Sequence, residues 1–124
     1  MLKNIVFVLS ILYTFLLLLL CLISLNNLPK VSISYADKIF HLIAYIIFTL
    51  LWFFSFFLRF KVKIYRSITI SVLFATLFGI FIEVLQGSLT STRSFDYYDV
   101  LANTTGVIIA AIMLKVLTKK YQKI

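Results

Sequence analysis

The chain has 124 residues, of which 63% are hydrophobic, 17% aromatic and only 13% charged, a mix that excludes an ordinary soluble domain. Twelve lysines and arginines against four acids give a net charge of +8. The cations stand at the edges of apolar runs, where they serve as topology signals and contacts for anionic lipid heads rather than as a nucleic-acid surface. The expected fold class is therefore all-α, an integral membrane bundle of four transmembrane helices. It forms one domain over residues 1–124, with spans near 5–25, 39–58, 67–86 and 100–118, each close to the roughly 20 residues that cross about 30 Å of hydrocarbon.

The first run, Ile5 to Leu25, contains Leu16 to Leu20 unbroken and is longer than the roughly 7–15 apolar residues of a secretory signal core. No small-residue cleavage site follows, so it is expected to stay as a span. Cys21 is the only cysteine, which rules out an internal disulfide and reads as a packed apolar thiol. The connector from Asn26 to Lys38 carries the only proline, Pro29, and ends with Ser34 and Asp37 in the shape of a capping box, Asp standing in for Glu.

The second run, Ile39 to Leu58, is interrupted by His41 and Thr49 and then meets Arg59, Lys61, Lys63 and Arg66. Those cations fall in a loop of eight residues without an acid, the kind of loop held on the cytoplasmic side during insertion. The third run, Ser67 to Gln86, must then travel outward and the fourth, Val100 to Thr118, inward, so both termini are expected in the cytoplasm. On that assignment nine lysines and arginines lie inside and three, Lys30, Lys38 and Arg93, outside.

The same orientation places all four acids, the only histidine and Arg93 toward the outer face. Asp37, His41 and Tyr45 are spaced by four and share one helix face. Gly79, Glu83 and Gln86 share another. In the fourth span Asp99, Asn103, Gly106 and Ala110 form a stripe, and Ala102, Gly106 and Ala110 a ladder of small residues that lets backbones approach closely. The polar stripe is expected to face the bundle interior. Glu83 follows sixteen residues without a charge, so it must pair within the bundle or face a wet pocket.

Bland readings exist for most of these groups. Asp37, Asp96 and Asp99 can cap helix starts, Asn103 can bridge two helices, and His41 can be a neutral imidazole held by Asp37 or Glu83. Among sharper readings, metal-assisted hydrolysis with His41, Glu83 and an aspartate has weak support, because no His-Glu-x-x-His or aspartate-rich motif occurs; neither a metal nor another cofactor is expected. General acid and base work by His41 with Glu83 or Asp99 is the catalytic alternative. Binding needs fewer assumptions. Arg93 would clamp an anionic head group while Asp37, His41, Tyr45, Glu83, Gln86, Asp96, Asp99 and Asn103 supply further polar contacts.

Asp37-Lys38, His41 and Tyr45, then Gly79, Glu83 and Gln86, then Arg93, Asp96, Asp99, Asn103 and Gly106 together resemble the pattern of the VanZ-like family. The resemblance runs from about Asp37 to Ala110 and does not cover the first span closely. Where the family has proline or glycine just before the arginine, this chain has Thr90, Ser91 and Thr92. The resemblance implies a small multi-pass protein of the bacterial cytoplasmic membrane, in a family whose founding member is associated with low-level teicoplanin resistance and for which no catalytic residue is established. The expected role is an outward-facing polar pocket engaging an outer-leaflet amphiphile: a lipid-linked wall precursor, a lipid head or the lipoglycopeptide. The alternatives are a membrane-embedded hydrolase or transferase and a non-catalytic scaffold. The expected partners are membrane lipids and such a ligand.

Overall fold

In a bilayer every backbone N–H and C=O must be satisfied within the chain, so long apolar runs resolve into helices. The computed structural model describes residues 1–22, 34–89 and 97–122. Four helices fill it: α1 (Leu2–Leu22), α2 (Ser34–Phe54), α3 (Ile64–Leu89) and α4 (Tyr97–Gln122). No strand occurs among the described residues. All four helices are long and apolar enough to cross a membrane. Pro29, Arg93 and Asp96 lie outside the described residues, as do the side chains of the Ser34–Asp37 cap, whereas the end of the expected connector, Ser34–Lys38, already belongs to α2.

The helices extend past the expected spans, α3 beginning at Ile64 and α4 at Tyr97. The flanking aromatic and polar residues belong to the interfacial zone, where the backbone goes on forming helical hydrogen bonds. The cationic loop is correspondingly shorter than the eight residues expected. Arg66 lies within α3, and Arg59 ends a π-helical turn over Ser55–Arg59 that closes α2. In that turn the Phe60 amide donates to the Ser55 carbonyl at 3.3 Å and the Val62 amide to the Phe56 carbonyl at 3.0 Å. Lys61 takes a left-handed conformation, φ 56°, as helix C-termini often require of one residue.

Polar side chains share the interior with an apolar core, and the outer surface carries many large apolar side chains. His41, Thr49, Ser71, Glu83 and Gln86 are buried, while Leu12, Phe15, Leu77, Ile112 and Val116 are exposed on surfaces that suit lipid tails. Helix α2 is central, packing on all three others and most extensively on α4. That contact depends on Gly106: a Cβ built there would stand 2.4 Å from the Leu42 carbonyl oxygen. A backbone atom cannot swing aside as a side-chain tip can, so the two helices touch main chain to main chain.

Helix α1 is held by polar side chains at several levels, because lipid tails are as apolar as leucine and burial supplies little drive between helices. The Tyr13 hydroxyl donates to the Ala44 carbonyl at 2.6 Å, and the Trp52 indole to Thr14 Oγ1 at 3.0 Å. The Ser10 and Ser55 hydroxyls lie 2.7 Å apart. Phe48 of α2 stacks on Phe78 of α3 at 4.9 Å between ring centres, joining the other face of α2 to α3.

Gly106→Ala forces α2 and α4 apart and is expected to destabilise the bundle by about 1–3 kcal/mol. Thermal unfolding of the purified protein in detergent checks this, with the lipid-facing Ile108→Ala near wild type.

Candidate functional site

Three helices bring one ionisable side chain each to a common point. His41 comes from α2, Glu83 from α3 and Asp99 from α4; all three are buried, at 0, 0 and 5% exposure, and donor atoms of the three lie within 4.8 Å of one another. The polar stripes of the sequence do face inward. Asp99, Asn103, Gly106, Val107 and Ala110 are all buried along α4.

Asp99 is the node of the cluster. Its Oδ1 accepts a charge-assisted hydrogen bond from Lys38 Nζ at 2.5 Å, and its Oδ2 lies 3.5 Å from His41 Nε2. Asp99 thus joins Glu83 as a carboxylate close to His41, while the side chain of Asp37, the other acid that the residue pattern suggests, lies outside the described residues. Lys38, which belongs to the residue pattern beside Asp37 but is counted with the outer cations rather than the binding candidates, joins the site. Its position three before His41 puts both on one helix face, and that spacing was the available clue. Its side chain is 26% exposed, and with the exposed Tyr97 and Tyr98 it marks the rim of the cluster.

One turn deeper, each helix repeats the convergence with a different residue. Tyr45 follows His41 by four, Gly79 precedes Glu83 by four and Asn103 follows Asp99 by four, so the three form a second layer about 6 Å further in. Gly79 makes room for it. A Cβ at that position would stand 3.2 Å from Tyr45 Cε1 and 3.3 Å from Asn103 Nδ2. Tyr45 and Asn103 are 0 and 2% exposed, yet the Tyr45 hydroxyl and both polar atoms of the Asn103 amide have no hydrogen-bond partner among the described residues. A buried polar group left unsatisfied costs about 1–3 kcal/mol and is uncommon in native proteins.

Gln86 turns elsewhere. Its amide Nε2 donates to the Cys21 carbonyl on α1 at 2.7 Å, so at least that end of the side chain ties α1 to α3. The structure thus brings His41, Tyr45, Glu83, Asp99 and Asn103 together with Lys38 and sends Gln86 toward α1. Arg93, Asp96 and the Asp37 side chain are outside the described residues.

These features define a four-helix, multi-pass membrane protein with a buried cluster of ionisable side chains contributed by its last three helices. The chain belongs to the VanZ/LLP1 family, whose profile matches residues 3–118. The match includes α1, which the motif residues alone do not reach. Neither curated proteins nor solved structures gave a match.

Lys38→Met leaves Asp99 without this ammonium and is expected to destabilise the protein by about 1–3 kcal/mol. Adding Asp99→Asn to Lys38→Met should recover part of the loss. A double-mutant cycle on thermal unfolding checks it; additive losses would show that the pair contributes no coupling.

Proposed function

We propose that this chain is a cell-envelope protein of the bacterial cytoplasmic membrane whose polar cluster faces the outer side and engages the head group of an outer-leaflet amphiphile. The supporting observation is the floor of Tyr45 and Asn103, whose polar atoms lack partners among the described residues beneath the His41, Glu83 and Asp99 side chains. Polar groups kept at membrane depth are costly and mark binding or transport sites. A head group rich in hydroxyl, amide or phosphate oxygens satisfies them. Lys38, and Arg93 next to the same end of α4 in sequence, supply positive charge for an anion.

Sidedness follows from the distribution of cations. Arg59, Lys61, Lys63 and Arg66 join α2 to α3, and Lys115, Lys119, Lys120 and Lys123 stand at the end of α4, so these ends belong in the cytoplasm. The site is at the opposite ends of the same helices. A lipid-linked wall precursor, an anionic lipid head and a lipoglycopeptide all present suitable chemistry there, and the family resemblance directs attention to teicoplanin.

A catalytic reading draws on a separate observation, the 3.5 Å approach of His41 Nε2 to Asp99 Oδ2. A carboxylate orienting an imidazole is the arrangement of a general base. On that reading His41→Gln abolishes turnover and leaves ligand affinity near wild type, whereas a binding site loses affinity.

Two measurements test the proposal. In a teicoplanin-sensitive host, wild-type chain should confer protection and Glu83→Gln, present at the same level in the membrane, should return susceptibility to the level of cells with an empty vector. Full protection by Glu83→Gln, or no protection by wild type, sinks the reading. For sidedness, in a Cys21→Ala background a membrane-impermeant maleimide should label Tyr97→Cys in intact cells and label Lys119→Cys only after lysis. The reverse pattern inverts the topology.

A further inference from the structure

We infer that His41, Glu83 and Asp99 form a binding site for a divalent first-row transition metal ion. The inference stands on geometry and does not require the amphiphile proposed above. One imidazole and two carboxylates are a donor set that zinc, manganese and iron accept, and the nitrogen donor disfavours magnesium and calcium, which take oxygen alone. Metal–ligand bonds of about 2.0–2.2 Å place neighbouring donors of a tetrahedral site about 3.3–3.6 Å apart. The 3.5 Å separation of His41 Nε2 and Asp99 Oδ2 already has that value. No donor of the three lies more than 4.8 Å from the others, so closing the set takes a shift of about 1 Å, within reach of small side-chain torsion changes.

Burial and support distinguish this cluster from a chance grouping of acids. The three donors come from three different helices and none is on the surface. Lys38 occupies Oδ1 of Asp99 at 2.5 Å and leaves Oδ2 turned toward His41, which is how outer partners orient a ligating carboxylate. Independently, the layer beneath contains the Asn103 amide, 2% exposed and with neither polar atom partnered among the described residues. It extends across to Gly79, one turn from Glu83 on the same face. An amide without a partner beneath the cluster can hydrogen-bond a metal-bound water. Three protein ligands also leave a coordination position open, the arrangement of sites that bind an exchangeable oxygen ligand rather than purely structural ones.

The test uses the full chain, purified with an affinity tag free of histidine, reconstituted into lipid nanodiscs and stripped with chelator. Isothermal titration with Zn²⁺ alone should show about one equivalent bound per chain, with the thermal midpoint raised by Zn²⁺ and not by excess Mg²⁺. Asp99→Asn and His41→Gln should each weaken Zn²⁺ binding by at least about tenfold. Where a substituted chain fails to fold, Co²⁺ bound to wild type supplies the second readout: its visible absorption should show nitrogen and oxygen ligation and disappear on adding one equivalent of Zn²⁺. Absence of stoichiometric binding to wild type overturns the site. So does retention of full affinity by both folded variants, or displacement by Mg²⁺. Because the only ligand titrated is the metal ion, these outcomes are separate from the resistance assay, which can fail while the metal site stands, and the converse.

Discussion

A carboxylate enclosed by helices in hydrocarbon cannot draw on water for its solvation, so the protein has to supply what water would. In this bundle that requirement centres on Asp99. Lys38 and His41 of α2 approach its two oxygens, and they reach it only because α2 and α4 run close together at Gly106. The absence of one methyl group thus governs the electrostatics several residues away. The same logic repeats at Gly79, where a missing side chain admits the Tyr45 ring and the Asn103 amide beneath Glu83. Small residues set the spacing, and the spacing determines which polar atoms meet.

The remainder of the architecture follows from the weakness of apolar association inside a bilayer. Helix α1 presents Leu9, Leu12, Phe15, Leu16 and Leu19 to its surroundings, and a leucine facing lipid gains little by facing another helix instead. Attachment comes from the Tyr13 hydroxyl of α1 donating to a carbonyl of α2, from the Trp52 indole of α2 donating to Thr14 of α1, and from the Gln86 amide of α3 donating to a carbonyl of α1. These bonds are directional, so they specify where α1 docks as well as holding it. The π turn at Ser55 takes part, since Ser10 meets both the Ser55 hydroxyl and the Leu51 carbonyl there.

Much of this was legible in the residue pattern, because a membrane simplifies the problem. Apolar runs of sufficient length had to be helices, and spacing by three and four identified the faces carrying His41 with Tyr45, Glu83 with Gly79, and Asp99 with Asn103. Pairings across helices were less accessible. The approach of Asp99 to His41 depends on how α2 crosses α4, a property of Gly106 and its neighbours that no spacing along one helix reveals. Gln86 lies only about 60° around α3 from Glu83, yet that rotation suffices to turn its amide to α1. Lys38 was obscured because a lysine at the end of a span reads first as a topology signal. Arg93 and Asp96 lie beyond the described residues, so their relation to the cluster rests on sequence alone.

The 61 residues separating Lys38 from Asp99 also impose an order on biosynthesis. A ribosome adding about 5–20 residues per second needs on the order of 3–12 s to make that interval, and throughout it α2 already carries its lysine and histidine without the aspartate. Lys38 stands at the first turn of its span, where a long flexible stem can keep an ammonium at the lipid interface, so α2 can wait in the membrane. Glu83, on a shorter side chain and buried within α3, has less freedom to do so. The nascent third span is thus the vulnerable intermediate, and the arrival of α4, with Asp99 at its leading turn and Gly106 two turns behind, completes the buried polar cluster and locks the helices together in one event.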